Sequence, residues 1–147
     1  MKKMLIAMLI IGIALVSACT SSPPPEVVLE DDEAFKDIYD RHKKDLILDG
    51  AEKHKVVYRD TLSAISRTKY KNGFYFPIIM MASSDVVLDP DKIIPGMILT
   101  IPDIQKNLDD ANARASIKAF LEEIAVLQDH RKRPRDAVGL RRLADSL

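Results

Sequence analysis

Two short stretches decide the fold: HKVVYRDTLSAI at residues 54–65 and IPGMILTIP at residues 94–102. The β-formers VVY at residues 56–58 predict a short strand, and the Asp-Thr pair after them predicts a helix N-terminus. In the second stretch, residues 97–101 are apolar enough and alternate enough to predict another strand. Two predicted strands therefore bracket the middle of this segment.

The middle of the segment has a helical pattern. Leu62 and Ile65 fit the buried face of a first helix, which ends before the turn sequence KNG at residues 71–73. Proline is well placed in the first turn of a second helix, predicted over residues 77–82. A long loop then covers residues 83–95, so the predicted order is strand, helix, helix, strand.

This order resembles the lysin-motif (LysM) domain, which the segment 54–102 would form. The resemblance is carried by Asp60, Thr61, Leu62, Ile65, Pro77, Ile79, Ala82, Asp89, Pro90, Asp91, Ile93, Pro95, Gly96, Leu99, Ile101 and Pro102. It implies an α+β fold of βααβ order, in which two helices pack on one face of a two-stranded antiparallel sheet.

The resemblance also implies a function. LysM domains bind the N-acetylglucosamine-containing backbone of peptidoglycan or chitin in a shallow groove, without a catalytic group or a cofactor. One wall of that groove would be Arg59, Asp60, Thr61 and Leu62, and the other would be Ser83, Ser84, Asp85, Val87, Leu88 and Ile93. Short loops can supply the backbone donor, acceptor and apolar wall that an N-acetyl group needs.

Two groove positions depart from the family pattern. Arg59 stands where the family usually has glycine, and Ser83 stands where it often has asparagine. These departures favour an alternative hypothesis, in which the same fold is a protein-interaction or structural module without glycan binding. Such a module would recruit an envelope partner, or a second copy of the chain, through its flanking helices.

The N-terminus has the pattern of a bacterial lipoprotein. MKK is followed by an apolar run at residues 4–16, which is shorter than the roughly 20 residues that a transmembrane helix needs. LVSAC at residues 15–19 resembles a lipobox. This predicts a signal peptide at residues 1–18, lipid on Cys19 and a tether at residues 19–29, with the protein anchored to a membrane and facing the periplasm or cell wall.

An acidic amphipathic helix is predicted within residues 30–50, from Asp32 to Leu48. Its apolar face comprises Phe35, Ile38, Tyr39, His42 and Leu46. We interpret His42 as a partly packed histidine rather than a metal ligand, because no second ligand stands at metal-binding spacing.

Residues 104–147 predict a helical arm, with a long helix from Ile104 to about His130. Its apolar stripe comprises Leu108, Ala111, Ala115, Phe120, Leu121, Ile124 and Leu127. This face could pack on the acidic helix, on the central domain or on a second copy; we expect packing within the chain. A short final helix over residues 137–147 would bury Val138, Leu140, Leu143 and Leu147.

Two clusters in the chain have competing interpretations. The basic run HRKRPR at residues 130–135 is either a solvated helix C-terminus, which its proline ends or kinks, or a surface for anionic lipid or cell-wall anions. The aromatic run FYF at residues 74–76 is most simply core, with a sugar-stacking or partner surface as the alternative.

The charge distribution and the residue counts argue against several other functions. Residues 20–53 carry 10 acids and 5 bases, residues 54–102 carry 4 and 6, and residues 103–147 carry 8 and 9. No segment is basic enough for a nucleic-acid binder. The single cysteine excludes an internal disulfide, and the three scattered histidines give no catalytic cluster, so we expect neither an enzyme nor a metal site.

Overall fold

The computed structural model describes residues 29–147, which form an α+β unit with a small sheet and several helices. In chain order the elements are α1 (Leu29–His42), β1 (Glu52–Lys55), α2 (Leu62–Tyr70), α3 (Phe76–Ala82), β2 (Ile98–Ile101), α4 (Ile104–Asp109), α5 (Ala111–His130) and α6 (Pro134–Asp145). Three short 3-10 turns lie at Lys43–Asp45, Gly73–Tyr75 and Pro90–Lys92. The predicted signal peptide, Cys19 and most of the predicted tether lie outside the described residues.

β1 and β2 form a two-stranded antiparallel sheet, in which Glu52 is opposite Ile101 and Lys55 is opposite Ile98. Successive side chains of a strand point to opposite faces. Leu99 and Ile101 are accordingly buried on one face, whereas Ile98 is exposed.

The first strand was predicted at the wrong place: it lies at Glu52–Lys55 rather than over residues 56–58. Val56 still makes backbone hydrogen bonds with Met97 and Gly96, but the chain then turns, with the Asp60 N–H donating to the Val57 carbonyl. The VVY run does not form a strand despite its β propensity, because a strand needs a pairing partner and, within residues 29–147, no strand extends the pairing beyond Gly96.

The two central helices begin where the sequence signals predict. The Thr61 hydroxyl oxygen accepts from the Ala64 N–H at 3.2 Å and caps α2, and Pro77 lies in the first turn of α3. All seven residues of α3 are buried. A helix that is apolar all round must lie inside the protein, and α3 is accordingly the centre of the core.

The acidic helix is shorter than predicted, since α1 ends at His42 rather than near Leu48. The chain then forms a 3-10 turn, and the buried side-chain amide of Asn107 hydrogen-bonds to the backbone of Ile47. Its Oδ1 accepts from the Ile47 N–H at 2.8 Å, and its Nδ2 donates to the Ile47 carbonyl at 2.9 Å. The Ile47 N–H is thus bonded outside any helix, and Leu46 before it is already extended (φ −80°, ψ 125°), so the chain does not continue as a helix to Leu48.

The apolar face of α1 is as predicted. Phe35, Ile38 and Tyr39 of α1 are buried, as is Leu46 beyond the helix end, and His42 packs against α5. Its ring nitrogens lie 3.2 Å from Ser116 Oγ and 3.0 Å from Glu123 Oε1.

The long C-terminal helix is interrupted at Asp110. This residue is extended, with φ −80° and ψ 126°, and its carboxylate accepts from the N–H groups of Asn112 and Ala113. Because α5 restarts after this cap, its buried face begins at Ala113 and Ile117. The prediction that Ala111 and Ala115 are buried is therefore wrong: both are exposed.

α5 packs against α1 and α6, which confirms the expected packing of the arm within the chain. Pro134 opens α6 rather than merely ending the helix before it. α6 buries Leu140 and Leu143 as predicted, but Val138 is 52% exposed, contrary to the prediction. No helix in residues 29–147 is long and apolar enough to cross a membrane.

Candidate functional site

The first predicted wall of the groove is the tight loop between β1 and α2. Arg59 is exposed and has a φ of +73°, a left-handed conformation that glycine adopts without strain and other residues adopt at a cost. Its guanidinium lies 5.6 Å from the ring centroid of Tyr58, which is 80% exposed. The loop therefore has a backbone conformation that favours glycine at this position, although the residue is an arginine.

Asp60 braces this loop. Its Oδ2 accepts from the Val57 N–H at 3.0 Å and lies 2.9 Å from His54 Nε2. The hydrogen bond from Val57, followed by that from His54, lowers the pKa of the Asp60 carboxyl below its usual value. Thr61 is exposed beside it, whereas Leu62 is buried and contributes to the core beneath the wall.

The second wall begins at Ser83, which is fully buried. Its hydroxyl oxygen accepts from the Thr100 N–H at 2.9 Å and its hydroxyl donates to the Thr100 carbonyl at 3.4 Å. The Ser83 carbonyl in turn accepts from the N–H groups of Val86 and Val87. Ser83 therefore joins the end of α3 to β2 and shapes the loop that follows.

The flanking α1 region contacts the same loop. The Tyr39 hydroxyl donates to the Leu88 carbonyl at 3.0 Å, and Lys43 Nζ donates to Ser84 Oγ at 3.0 Å. Burial raises the pKa of Tyr39 far above its usual value, so it stays a neutral donor. α1 thus supports the second wall from behind.

A hollow of about 340 Å³ lies along the second wall. Four of the ten predicted groove residues line it: Ser84, Asp85, Val87 and Leu88. Met97, Val86, Asp89, Asp32 and Lys92 complete its lining. Arg59, Asp60, Thr61, Leu62, Ser83 and Ile93 do not line it, so the predicted groove is only partly brought together.

The end of this loop is fixed by ion pairs between two aspartates and two arginines, which the sequence analysis did not connect. Arg131 Nη2 donates to both carboxylate oxygens of Asp89, at 3.2 and 3.1 Å, and to Asp91 at 3.2 Å. Arg133 donates to Asp91 through both of its terminal nitrogens, and this lowers the pKa of the Asp91 carboxyl. In both the Asp-Pro-Asp and the Arg-Lys-Arg sequences the charged residues are two positions apart, and this matching spacing was the only sign in the sequence that they pair. The interpretation of the basic run as solvated is wrong for Arg131, whose side chain is only 12% exposed, whereas Arg133 is paired but remains partly exposed.

The aromatic run divides in two. Tyr75 and Phe76 are buried core residues, as predicted. Phe74 is 38% exposed and its ring lies against the backbone of Gly139 in α6. Among residues 29–147, no three His, Cys, Asp or Glu side chains are grouped as a metal site would need.

Comparison with curated proteins gives a partial similarity. The chain is 46% identical over 44 residues to a protein of Escherichia coli O6:H1 strain CFT073 described as "Potassium binding protein Kbp". The matched segment covers 30% of this chain and 30% of that protein. No family model and no solved structure matches the chain.

Proposed function

We propose that this chain is a non-catalytic envelope lipoprotein that binds peptidoglycan through a LysM domain at residues 54–102. Lipid on Cys19 would hold one end at a membrane, and the domain would hold N-acetylglucosamine-containing glycan. The protein would thereby tether membrane to cell wall. No cofactor is required for this role.

The observation that carries the proposal is the antiparallel pairing of β1 with β2 across the two intervening helices α2 and α3. This is the element order that the resemblance implies. The pairing of β1 with β2 brings the two ends of the segment together. Hydrogen bonds then attach the loop after β1 to one end of the sheet and the loop after α3 to the other.

The hollow beside the second loop supports the proposed ligand class. Its volume of about 340 Å³ falls in the usual range for small-ligand sites. Val87, Leu88 and Met97 offer apolar surface to an N-acetyl methyl group, and Ser84 and Asp85 offer polar groups to sugar hydroxyls. The side chain of Asp85 is exposed and has no hydrogen-bond partner among the described residues, so it is available to a ligand.

The two departures from the family pattern are compatible with this fold. The Ser83 hydroxyl makes both of its bonds to the backbone of β2, as an amide at this position could. Arg59 adopts the positive φ that a glycine would favour. The local backbone therefore accommodates the residue present at each of the two positions.

Co-sedimentation with purified peptidoglycan sacculi tests glycan binding, using the full chain in a non-ionic detergent. We expect retention at low and at moderate salt, and a clear loss of retention in Asp85→Ala. Glu122→Ala is the matched control, because Glu122 is also exposed and unpaired among residues 29–147 but lies on α5. Absence of retention at low salt would overturn the proposal.

Two further arms separate other causes of retention. Retention that salt abolishes and that Asp85→Ala leaves unchanged would indicate attraction by the basic C-terminal run instead. Since the similar E. coli protein is described as binding potassium, sedimentation is compared in KCl and NaCl at equal ionic strength. A glycan groove predicts equal retention in the two salts.

Mass spectrometry of the chain purified from bacterial membranes tests the anchor. We expect a mature N-terminus at Cys19 carrying acyl chains, and an unprocessed, unmodified precursor for Cys19→Ser. A mature chain with an unmodified Cys19 would exclude the lipoprotein part of the proposal and leave the glycan part to its own test.

A second candidate function is a protein-interaction module, favoured by the contacts of the flanking helices with the second loop. Tyr39 in α1, Lys43 just after it and Arg131 just after α5 bond to Leu88, Ser84 and Asp89, so the flanking segments of the same chain already cover part of this loop. If sacculi do not retain the chain, sedimentation equilibrium shows whether it associates with itself instead.

A further inference from the structure

A second hollow, outside the proposed groove, lies between α6 and the turn that precedes α3. It measures about 310 Å³ and is lined by Asn72, Phe74, Arg135, Val138, Gly139, Arg142, Leu143 and Ser146. None of these residues belongs to the predicted glycan walls. The hollow brings together the aromatic run and the basic run, two features that the proposed function leaves without a role.

Gly139 makes the floor of this hollow possible. A Cβ atom at this position would lie 2.1 Å from the Phe74 ring, so only glycine allows the ring to rest on the α6 backbone. Phe74 remains 38% exposed, and Val138 beside it is 52% exposed. The result is a recessed apolar surface with one protruding aliphatic side chain.

Two free arginines flank this surface. Arg135 and Arg142 are seven residues apart on α6, which places them two turns, or about 10.5 Å, apart along the helix axis. Both are exposed, and neither has an ion pair or hydrogen bond within the described part of the chain. By contrast, Arg133 and Arg141 each bond to a carboxylate.

A third guanidinium lies near the same turn. Arg67 Nη2 is 3.5 Å from where a Cβ of Gly73 would be, next to Phe74 in the chain, and Arg67 has no ionic partner among residues 29–147, but it does not line the hollow. The acids of α6, Asp136 and Asp145, do not line the hollow. The surface is therefore apolar at its centre and positively charged at its edges.

We propose that this hollow binds an acidic peptide segment of a protein partner, with one apolar side chain seated against Phe74 and carboxylates paired with Arg135 and Arg142. Arginine suits this role because its planar guanidinium can bind a carboxylate through two hydrogen bonds. A recessed floor fits a protruding side chain, whereas a flat bilayer surface would reach only Val138. The site is independent of glycan binding and would let a wall-bound protein recruit a second protein.

Fluorescence anisotropy tests this proposal with the full chain in a non-ionic detergent. The probe is a fluorescein-labelled peptide with a central leucine flanked on each side by two glutamates. We expect saturable binding at low salt that weakens about 3- to 10-fold in Arg135→Gln and in Arg142→Gln, as loss of a charge-assisted pair predicts. Val138→Ser, and a probe with serine in place of leucine, should also weaken binding.

Lys132→Gln is the matched control. It removes one positive charge from the same basic run, at an exposed residue that does not line the hollow. Circular dichroism should show that all four variants remain folded, because the substituted side chains are exposed. An equal loss of binding in Lys132→Gln would show only general charge attraction and would overturn the site.

Three other outcomes also overturn the proposal. The first is no anisotropy change with the wild-type chain at low salt. The second is a failure of the peptide to bind while phosphatidylglycerol, added to the micelles, binds with the same arginine dependence, which would assign the hollow to lipid. The third is self-association without peptide that Arg142→Gln abolishes, which would assign it to a second copy of the chain.

Discussion

Arg131, just after α5, donates to both carboxylate oxygens of Asp89, which lies 42 residues earlier in the chain. The two side chains are only 12% and 7% exposed. Arg131 also lies 5.2 Å from the centroid of the Phe35 ring in α1. This arginine therefore joins the first helix, the candidate loop and the C-terminal helices at one point.

Removing Arg131 should destabilise the protein strongly. We expect Arg131→Gln to lower the free energy of unfolding by about 3 kcal/mol, because it leaves the Asp89 carboxylate buried without its cation. Urea denaturation followed by circular dichroism measures this. Arg133→Gln is the comparison, since its pair with Asp91 is more exposed and should cost less than about 1 kcal/mol. Equal effects of the two substitutions would contradict the assigned role.

Ser83 should matter for stability because its hydroxyl bonds to a buried strand. Ser83→Ala leaves the Thr100 N–H without its partner at a position where water cannot replace it, and we expect a loss of about 1–2 kcal/mol. Thermal and urea unfolding measure the change. Ser63→Ala, at an exposed position of α2, should change stability by less than about 0.5 kcal/mol.

Position 59 should accept glycine better than alanine. Because its φ of +73° is unfavourable for any residue with a Cβ, we expect Arg59→Gly to be more stable than Arg59→Ala by about 0.5–1 kcal/mol. Comparing glycine with alanine removes the effect of losing the contact with Tyr58. If the alanine variant is the more stable of the two, the positive φ does not control the stability of this turn.

Phe74 and Gly139 should be energetically coupled. Gly139→Ala places a methyl group where the Phe74 ring lies, and we expect a loss of about 1–3 kcal/mol. In Phe74→Ala this clash is absent, so adding Gly139→Ala to that variant should cost much less. A double-mutant cycle by urea denaturation measures the coupling, and additive effects would show that the two residues do not touch.

Asp91 should make stability depend on acid pH. The hydrogen bond from Arg133 lowers the pKa of the folded Asp91 carboxyl below its ordinary value of 3.8. A lowered pKa means that the folded state binds the proton less readily than the unfolded state, so the stabilisation is present above about pH 4 and is lost as pH falls through the folded pKa.

The variant Asp91→Asn tests this dependence. Its deficit in unfolding free energy relative to the wild type should be largest near neutral pH and should shrink as pH falls below about 4. Urea denaturation at a series of pH values measures the difference. A deficit that stays constant down to about pH 2 would show that the Asp91 charge is not what stabilises the loop.

The central segment could be predicted in part from its local signals. The Asp60-Thr61 pair predicted the start of α2, where Thr61 is the cap, and Pro77 predicted the start of α3, because a hydroxyl three residues from its N–H and a fixed φ act within one turn of chain. The first strand was misplaced by a few residues, because where a strand lies depends on its partner. Charged Glu52–Lys55 pairs with β2, and this pairing outweighs the β propensity of Val57 and Tyr58.

The candidate site was less predictable than the fold. The sequence could suggest which loops would face each other, but Ser84, Asp85, Val87 and Leu88 are the only predicted groove residues that line the described hollow. The sequence did not show that side chains from the α1 region and from just after α5 bond to that loop. Contacts between residues about 40 or more positions apart, such as Tyr39 with Leu88, leave no periodic signal in the sequence.

By itself, the sequence determined features that depend on neighbours along the chain: the cap before α2, the role of Pro77 in the first turn of α3, the apolar face of α1 and the order of the central elements. Only the tertiary structure decided where helices stop, which carboxylates the basic run binds, and that Phe74 rests on Gly139. The physical reason is range. A cap or a turn is satisfied within a few residues, whereas a buried ion pair or a ring packed on a helix needs two distant segments that meet only when the core forms.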